Sequence, residues 1–247
     1  MTDLEILYED NHLLVVNKPA GIATMGAESG PTVHALAADY IKRKYNKPGN
    51  AFIGIVSRLD TMTSGVLVLA RTSKAASRLS QQFASKSADV TKIYLAVVDP
   101  QLEQRQATLT DWVRKDDRAR RMRTVDRAAE DAKEARLNYM TIDTLNHHSL
   151  VAVQLLTGRK HQIRVQFADR GHPVLGDRKY ESSRRFSQGV ALHSWRLKIV
   201  HPTLRQPMWF VAKPPQSWQP FQRQLADDKR LWDQVSRAFE IFDRPES

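Results

Sequence analysis

The 247-residue sequence has no cysteine. That removes disulfides, thiolate nucleophiles and cysteine-bearing zinc sites together, and it fits a reducing cytoplasm, where the protein is expected to reside. No apolar run approaches the roughly 20 residues that cross a bilayer. Met1–Glu5 carry neither a basic n-region nor a long hydrophobic stretch, so no secretory signal and no membrane association are expected. Several chemical signatures are also missing: Walker A spacing, a strand-linked G-x-G-x-x-G, a G-x-S-x-G elbow and H-E-x-x-H. His147 and His148 are adjacent, which is not the spacing of zinc ligands, and a metal site is not expected. No internal repeat, low-complexity tract or interdomain linker is evident. Finally, negative charge is scarce: 27 Asp and Glu stand against 38 Lys and Arg, a net charge of +11. Such an excess points to a polyanionic partner. Nucleic acid is favoured over a membrane because no basic amphipathic helix dominates, although charge can also serve solubility alone.

What is present is a chain long enough for a sizeable core. Ile6–Tyr8 and Leu13–Val16 read as strands around an Asp10-Asn11 turn. Val33, Leu36, Ala37, Tyr40 and Ile41 fall at helical spacing behind Thr32, a candidate N-cap. Ser73 is the candidate cap of a second helix that buries Ala76, Leu79 and Phe83. Further strands are expected at Ile93–Val98, Leu150–Leu156, Val190–Leu197 and Met208–Ala212, with a helix at His161–Arg170 stopped by Gly171 and Pro173. Pro214-Pro215 closes the strand region, and Leu231, Trp232, Val235, Ala238, Phe239 and Phe242 form an amphipathic stripe expected to pack on the body. Residues 114–136 hold nine basic and six acidic residues and almost no large apolar ones, so they are expected to form a mobile, exposed excursion. Many short strands with few helices imply an α+β fold with a large, mostly antiparallel sheet flanked by helices and loops. Residues 1–215 are taken as the main domain and 216–247 as a C-terminal extension.

The stretch Ser57 to Gly65, Ser-Arg-Leu-Asp-Thr-Met-Thr-Ser-Gly, lies between two hydrophobic runs that read as strands. A carboxylate delivered to the edge of a core is unfavourable unless it is paired or used. Arg58 and Asp60, at i and i+2 on an extended segment, point to the same side, and the arginine would hold the carboxylate ionised. On the residues alone, a structural ion pair is the stronger account, and a nucleophile or base the alternative. A second constellation, Gly158-Arg159-Lys160-His161-Gln162-Ile163-Arg164, crowds cations around a helix start, where free N–H groups attract phosphate; a solvated helix face is the plainer alternative. The cluster Arg118, Arg120, Arg121 and Arg123 could also reach phosphates. Tyr94, within an apolar strand, is either core or a stacking platform for an unstacked base.

Taken in order, these segments resemble the RluA-type RNA pseudouridine synthases. Asn17-Lys18-Pro19-Ala20-Gly21 is similar to an early Lys-Pro-x-Gly segment of that family, Ser57–Gly65 to its catalytic motif and Lys92-Ile93-Tyr94-Leu95-Ala96 to a Lys-x-Tyr-x-Ala strand. Gly158–Arg164 followed by Gly171-His172-Pro173-Val174-Leu175-Gly176-Asp177 is similar to its Gly-Arg-x-His-Gln-Ile-Arg and Gly-His-Pro-x-x-Gly-Asp motif, and Ala191–Ser194 with His201-Pro202 to its closing strands.

The resemblance implies an isomerase that converts uridine to pseudouridine in structured ribosomal or transfer RNA, on the pseudouridine synthase fold with a catalytic cleft, without cofactor or metal; a monomer is expected for want of any interface signal in the sequence. By the same resemblance Asp60 is the catalytic carboxylate and Arg58 fills the space of the flipped nucleotide. Tyr94 stacks on the target base, Arg164 pairs with Asp60, and Ile163 joins the substrate-binding set. From their cationic clusters, Arg159, Lys160, His161, Arg120 and Arg121 are expected to contact the RNA backbone. Two departures stand out. The family usually has His where this chain has Ser57, and Gly where it has Glu181. No S4-type domain precedes the catalytic motifs, so RNA affinity is expected from the catalytic domain itself. A catalytically silent RNA-binding or chaperone protein on the same fold is the alternative.

Overall fold

The computed structural model describes residues 4–27, 30–85 and 89–241. Two compact units emerge, Met1–Thr91 with Ser194–Pro214, and Lys92–His193 with Pro215–Ser247. Both are α+β, as expected.

In the first unit, β1 (Glu5–Glu9) and β2 (Leu13–Lys18) form the expected hairpin. Asp10 makes the turn: its Oδ1 accepts from the backbone N–H groups of His12 and Leu13 at 2.7 and 2.6 Å. The other carboxylate oxygen meets Nε2 of the fully buried His201 at 2.8 Å. β4 (Ser64–Ala70) lies antiparallel to β2, and β10 (Leu192–Val200) follows it and carries β11 (Pro207–Val211). Alternation along these strands sorts the core into two layers. Leu13, Val15, Val66 and Val68 pack with Ala75 and Leu79 of α2 (Ser73–Ala84), whereas Leu14, Val16, Leu67 and Leu69 pack with Val33, Ala37 and Ile41 of α1 (Val33–Lys44). The sheet is thus covered on both faces, which explains why its strands read as continuous apolar runs. Thr32 caps α1 as expected; α2 is capped by Thr72 rather than Ser73, its hydroxyl accepting from Ala75 N–H. The run before Asp60 yields only the two-residue β3 (Gly54–Ile55), which pairs with β4, and residues 56–63 form a loop.

In the second unit, β5 (Thr91–Val98), β9 (His148–Leu155), β8 (Lys133–Leu145), β6 (Gln106–Asp116) and β7 (Arg121–Val125) follow in that spatial order, every pair antiparallel. The charged segment 114–136 is therefore built into strands and not an excursion from them. Its backbone satisfies itself in the ladder with Lys115 opposite Met122 and Val113 opposite Lys133. Of this stretch, among the described residues, Ala135 enters a core with Val113, Val165 and Tyr180, and Met122 packs against it. Register places Tyr94, Val153 and Tyr139 on one face, and α3 (Gln162–Ala168) covers that face through an edge-on contact of Phe167 with Tyr139 at 5.4 Å. The segment from Pro215 groups with this unit. It contains α4 (Gln222–Leu225) and α5 (Asp228–Ala238), the latter burying Leu231, Trp232 and Val235 of the expected stripe; Phe242 lies outside the described residues. Among the described residues no helix is long and apolar enough to cross a membrane.

Gly65 has φ +113°, and a Cβ there would stand 2.2 Å from the Ser194 carbonyl oxygen. Gly65→Ala is expected to lose about 3 kcal/mol or more in urea unfolding. A loss below about 1 kcal/mol would mean that β4 and β10 separate readily at this point.

Candidate active site

Asp60 sits half-buried in the 56–63 loop, and its neighbours on both sides are tied down. Leu59 exchanges two bonds with Thr24, which donates its hydroxyl to the Leu59 carbonyl at 2.9 Å and accepts from Leu59 N–H at 3.3 Å. The Thr61 carbonyl accepts from Gly21 N–H at 2.8 Å and from the Lys18 ammonium at 3.1 Å. Thr63 N–H closes the turn on the Asp60 carbonyl at 3.0 Å. Lys18 is fully buried, and its Nζ also donates to the carbonyls of Pro19 and Ile22 at 2.8 and 2.7 Å. Burial pushes this ammonium down to about 7, against the pull of the nearby Asp60 charge. The Lys-Pro-x-Gly segment is thus the cradle of the Asp60 loop. Sequence reasoning gave Lys18 no role, although a lysine that closes a fully buried strand must find acceptors.

Arg58 is exposed and makes no hydrogen bond or ion pair among the described residues, so the expected Arg58–Asp60 pair does not form. Irregular backbone between β3 and β4 replaces the extended segment that would have aligned the two side chains. Ser57 is half-buried just before it.

In the second unit Arg164 is buried in α3 and forms a fork-on-fork pair with Asp177: Nε donates to Oδ2 at 2.6 Å and Nη2 to Oδ1 at 2.9 Å. Both groups are nearly inaccessible, so the pair is shielded from solvent on both sides. The guanidinium also lies 5.1 Å from the centre of the Tyr180 ring. The Tyr180 hydroxyl accepts from Met122 N–H at 3.0 Å and bonds His161 Nδ1 at 2.8 Å. Gln162 locks the preceding loop, accepting from Arg159 N–H and the Thr157 hydroxyl and donating to the Arg136 carbonyl. Asp177 and Gln162 carried no role in the sequence reading, although Arg164 lies 13 residues before Asp177 and Gln162 bonds Arg159 and Thr157 nearby. Tyr94 and Ile163 are buried, Tyr94 on the sheet face that α3 covers.

The backbone-contact candidates divide. His161 is engaged by Tyr180, and Arg121 donates to the Lys179 carbonyl and to Glu181 at 2.8 Å. Lys160 and Arg120 are exposed; Arg159 is half-buried and spends Nε on the Glu134 carbonyl. Glu181 has φ +69°, the left-handed region that glycine fills without strain, which accounts for the residue type expected there. Among the described residues no group of three or more potential ligands is placed to hold a metal ion.

The sequence and fold are similar to those of known proteins. A family model described as RNA pseudouridylate synthase matches residues 12–169. The chain is 34% identical over 249 residues to ribosomal large subunit pseudouridine synthase D of Xylella fastidiosa, covering 93% of this chain and 71% of that protein. It is 35% identical over 201 residues to the RNA pseudouridine synthase YhcT of Bacillus subtilis, covering 81% of this chain and 65% of that one, so it spans just under two thirds of that relative. Among solved structures, human RNA pseudouridylate synthase domain containing 1 superposes with a TM-score of 0.74 at 24% identity, covering 99% of this chain and 97% of that one, which supports the fold.

The buried lysine makes stability depend on pH. Held near 7 when folded and near its usual 10.5 when unfolded, Lys18 leaves the unfolded chain with the extra proton between those values. Stability therefore rises with pH across that window. Relative to Lys18→Met, the wild type should gain up to about 1.4 kcal/mol per pH unit from about pH 7 to 10 in denaturant titrations. A flat difference would show that the three carbonyls keep the ammonium protonated. Separately, Glu181→Gly relieves about 1 kcal/mol of left-handed backbone cost and removes an exposed ion pair worth less than that. Its urea midpoint should equal or exceed that of the wild type, and a clear fall would show that the Arg121 pairing outweighs the backbone.

Proposed function

Because the chain belongs to the RNA pseudouridylate synthase family, whose members are isomerases acting on RNA, we propose that it converts uridine to pseudouridine in structured ribosomal or transfer RNA with Asp60 as the catalytic carboxylate. The observation that carries this assignment is the clamp on the Asp60 loop: Thr24 fixes Leu59, while Lys18 and Gly21 fix Thr61. A carboxylate that meets charge developing in a transition state is most effective when it is fixed beforehand.

The reaction is balanced within one nucleotide. The N1–C1′ bond breaks, the uracil turns, C5 bonds to C1′, and the base exchanges its C5 proton for one on N1. Departure of the base builds oxocarbenium-like charge on the ribose, which an ionised carboxylate stabilises, as in retaining glycosidases. Asp60 serves whether it attacks C1′ or removes a ribose proton. Reaching the uridine requires extrusion from the helix at a cost of a few kcal/mol. Arg58, exposed and without an internal partner among the described residues, is available to enter the stack in its place. Tyr94 supplies a ring for the extruded base and Ile163 an apolar neighbour. Each of these roles rests on its motif and on the geometry within its own unit.

Unmodified transcripts of ribosomal RNA and tRNA, incubated with wild type or Asp60→Asn and then mapped for pseudouridine, test the assignment. The wild type should modify a transcript, and Asp60→Asn should be slower by about 100-fold or more. Equal modification by both removes Asp60 from the chemistry. No modification of any transcript by the wild type replaces the proposal with an RNA-binding protein on the same fold.

A further inference from the structure

A groove of about 800 Å³ in the second unit runs between the β6–β7 hairpin with the start of β8 on one side and Gly158–Lys160 on the other. Six of its lining residues are cationic: Arg114, Lys115, Arg123, Lys133, Arg159 and Lys160. Three carboxylates oppose them. Asp117 is taken by Lys115, and Asp116 lies 3.9 Å from Arg123, which leaves Asp131. Arg114, Lys133, Arg159 and Lys160 make no ion pair among the described residues; Arg114 and Arg159 spend one donor each on the carbonyls of Glu130 and Glu134.

The register makes this concentration unfavourable on its own. Arg114 stands directly opposite Arg123 across the β6–β7 ladder, where like charges destabilise a strand pair. Nothing in the fold requires the arrangement, because the hairpin is held on its other side by Tyr180 to Met122 N–H and by Thr124 to Asp169 at 2.6 Å. β7 also walls a second hollow of about 530 Å³, where Asp99, Asp169 and Glu181 offset Arg121 and Arg123. The two sides of one strand therefore differ in kind: one is neutralised from within and the other is left cationic and concave.

From this we infer that the groove is a phosphate-binding tract that takes the sugar–phosphate backbone of the substrate RNA. The inference rests on the RNA reading above. An acidic protein surface is disfavoured because cations line both walls, as suits a strand of phosphates lying along a groove. At Gly158 the tract comes close to the strand that carries Tyr94. Gly158 lines it, and a Cβ at Gly158 would stand 3.3 Å from Nζ of Lys92, two residues before Tyr94 on the same face of β5. The backbone beside the target nucleotide is thereby held as the base is presented.

The test measures binding of an unmodified transcript by full-length protein across a salt series, with modification of the same transcript followed in parallel. Arg114→Glu with Lys133→Glu should weaken binding by 10-fold or more at low salt. It should also reduce the slope of log affinity against log salt by about 0.7 for each phosphate no longer neutralised. Lys133→Gln with Lys160→Gln, which removes charge without reversing it, should weaken binding less, in the same direction, and raise KM with little change in kcat. Lys47→Glu, at an exposed cation of the first unit, changes the net charge by the same two units as the Gln pair and should leave the slope unchanged. Wild-type affinity and slope in both groove variants overturn the inference, even where the transcript is modified. An equal weakening in Lys47→Glu also overturns it, by showing that total charge alone matters. Weakening confined to the groove variants, with no modification by wild type, upholds the tract and rejects the synthase reading instead.

Discussion

Everything the Asp60 loop can do depends on one buried cation. The Lys18 ammonium is removed from water and satisfied by three backbone carbonyls, Pro19, Ile22 and Thr61, that belong to two separate segments. An ammonium has three donors, and here each has one acceptor, so the group acts as a tetrahedral pin. Carbonyls compensate desolvation less fully than a carboxylate would, which explains why burial still draws the ammonium down to about 7. The Asp60 charge is close enough to oppose that fall, yet its carboxylate is not among the three acceptors that hold the ammonium.

The second unit reaches the same end by different means. Arg164 is fixed by a bidentate carboxylate and an aromatic face, and the same Tyr180 that lies against it also accepts a backbone N–H from Met122 in β7. The orientation of the guanidinium and the docking of the hairpin are thus linked through one ring. Gln162 does for the Gly158–His161 loop what Thr24 does for Leu59, satisfying backbone groups that no strand can reach. Polar side chains in both units serve loops, while apolar alternation builds the sheets.

This division governs what was legible in the sequence. The β1–β2 hairpin, the Thr32 cap and the helix stopped at Gly171 are local, and each announces itself within a few residues. The layering of the first unit follows from period-two alternation. The motifs singled out Asp60, Tyr94 and Arg164 because chemistry-bearing residue types recur there in a fixed order. Lys18 as the pin of the Asp60 loop joins segments 43 residues apart, and Asp177 as the partner of Arg164 lies 13 residues beyond it across a loop, so neither leaves a local periodicity. The expected Arg58–Asp60 pair failed for the opposite reason: it assumed regular local structure where the chain is a loop.

Segment 114–136 shows why composition misleads about order. A stretch with few large apolar residues cannot build a core, but a strand needs only a ladder partner and one anchored face. Val113 and Ala135 give that face, and backbone pairing supplies the rest. Within its unit β7 has a single neighbour, and an edge strand rich in arginine resists pairing with another chain. Edge protection explains charge on the outer strand. It does not explain Lys133 on the inner β8, nor Arg159 and Lys160 across the groove, where no edge needs guarding. A basic edge and a basic concavity have different physical reasons, and only the second calls for a polyanion.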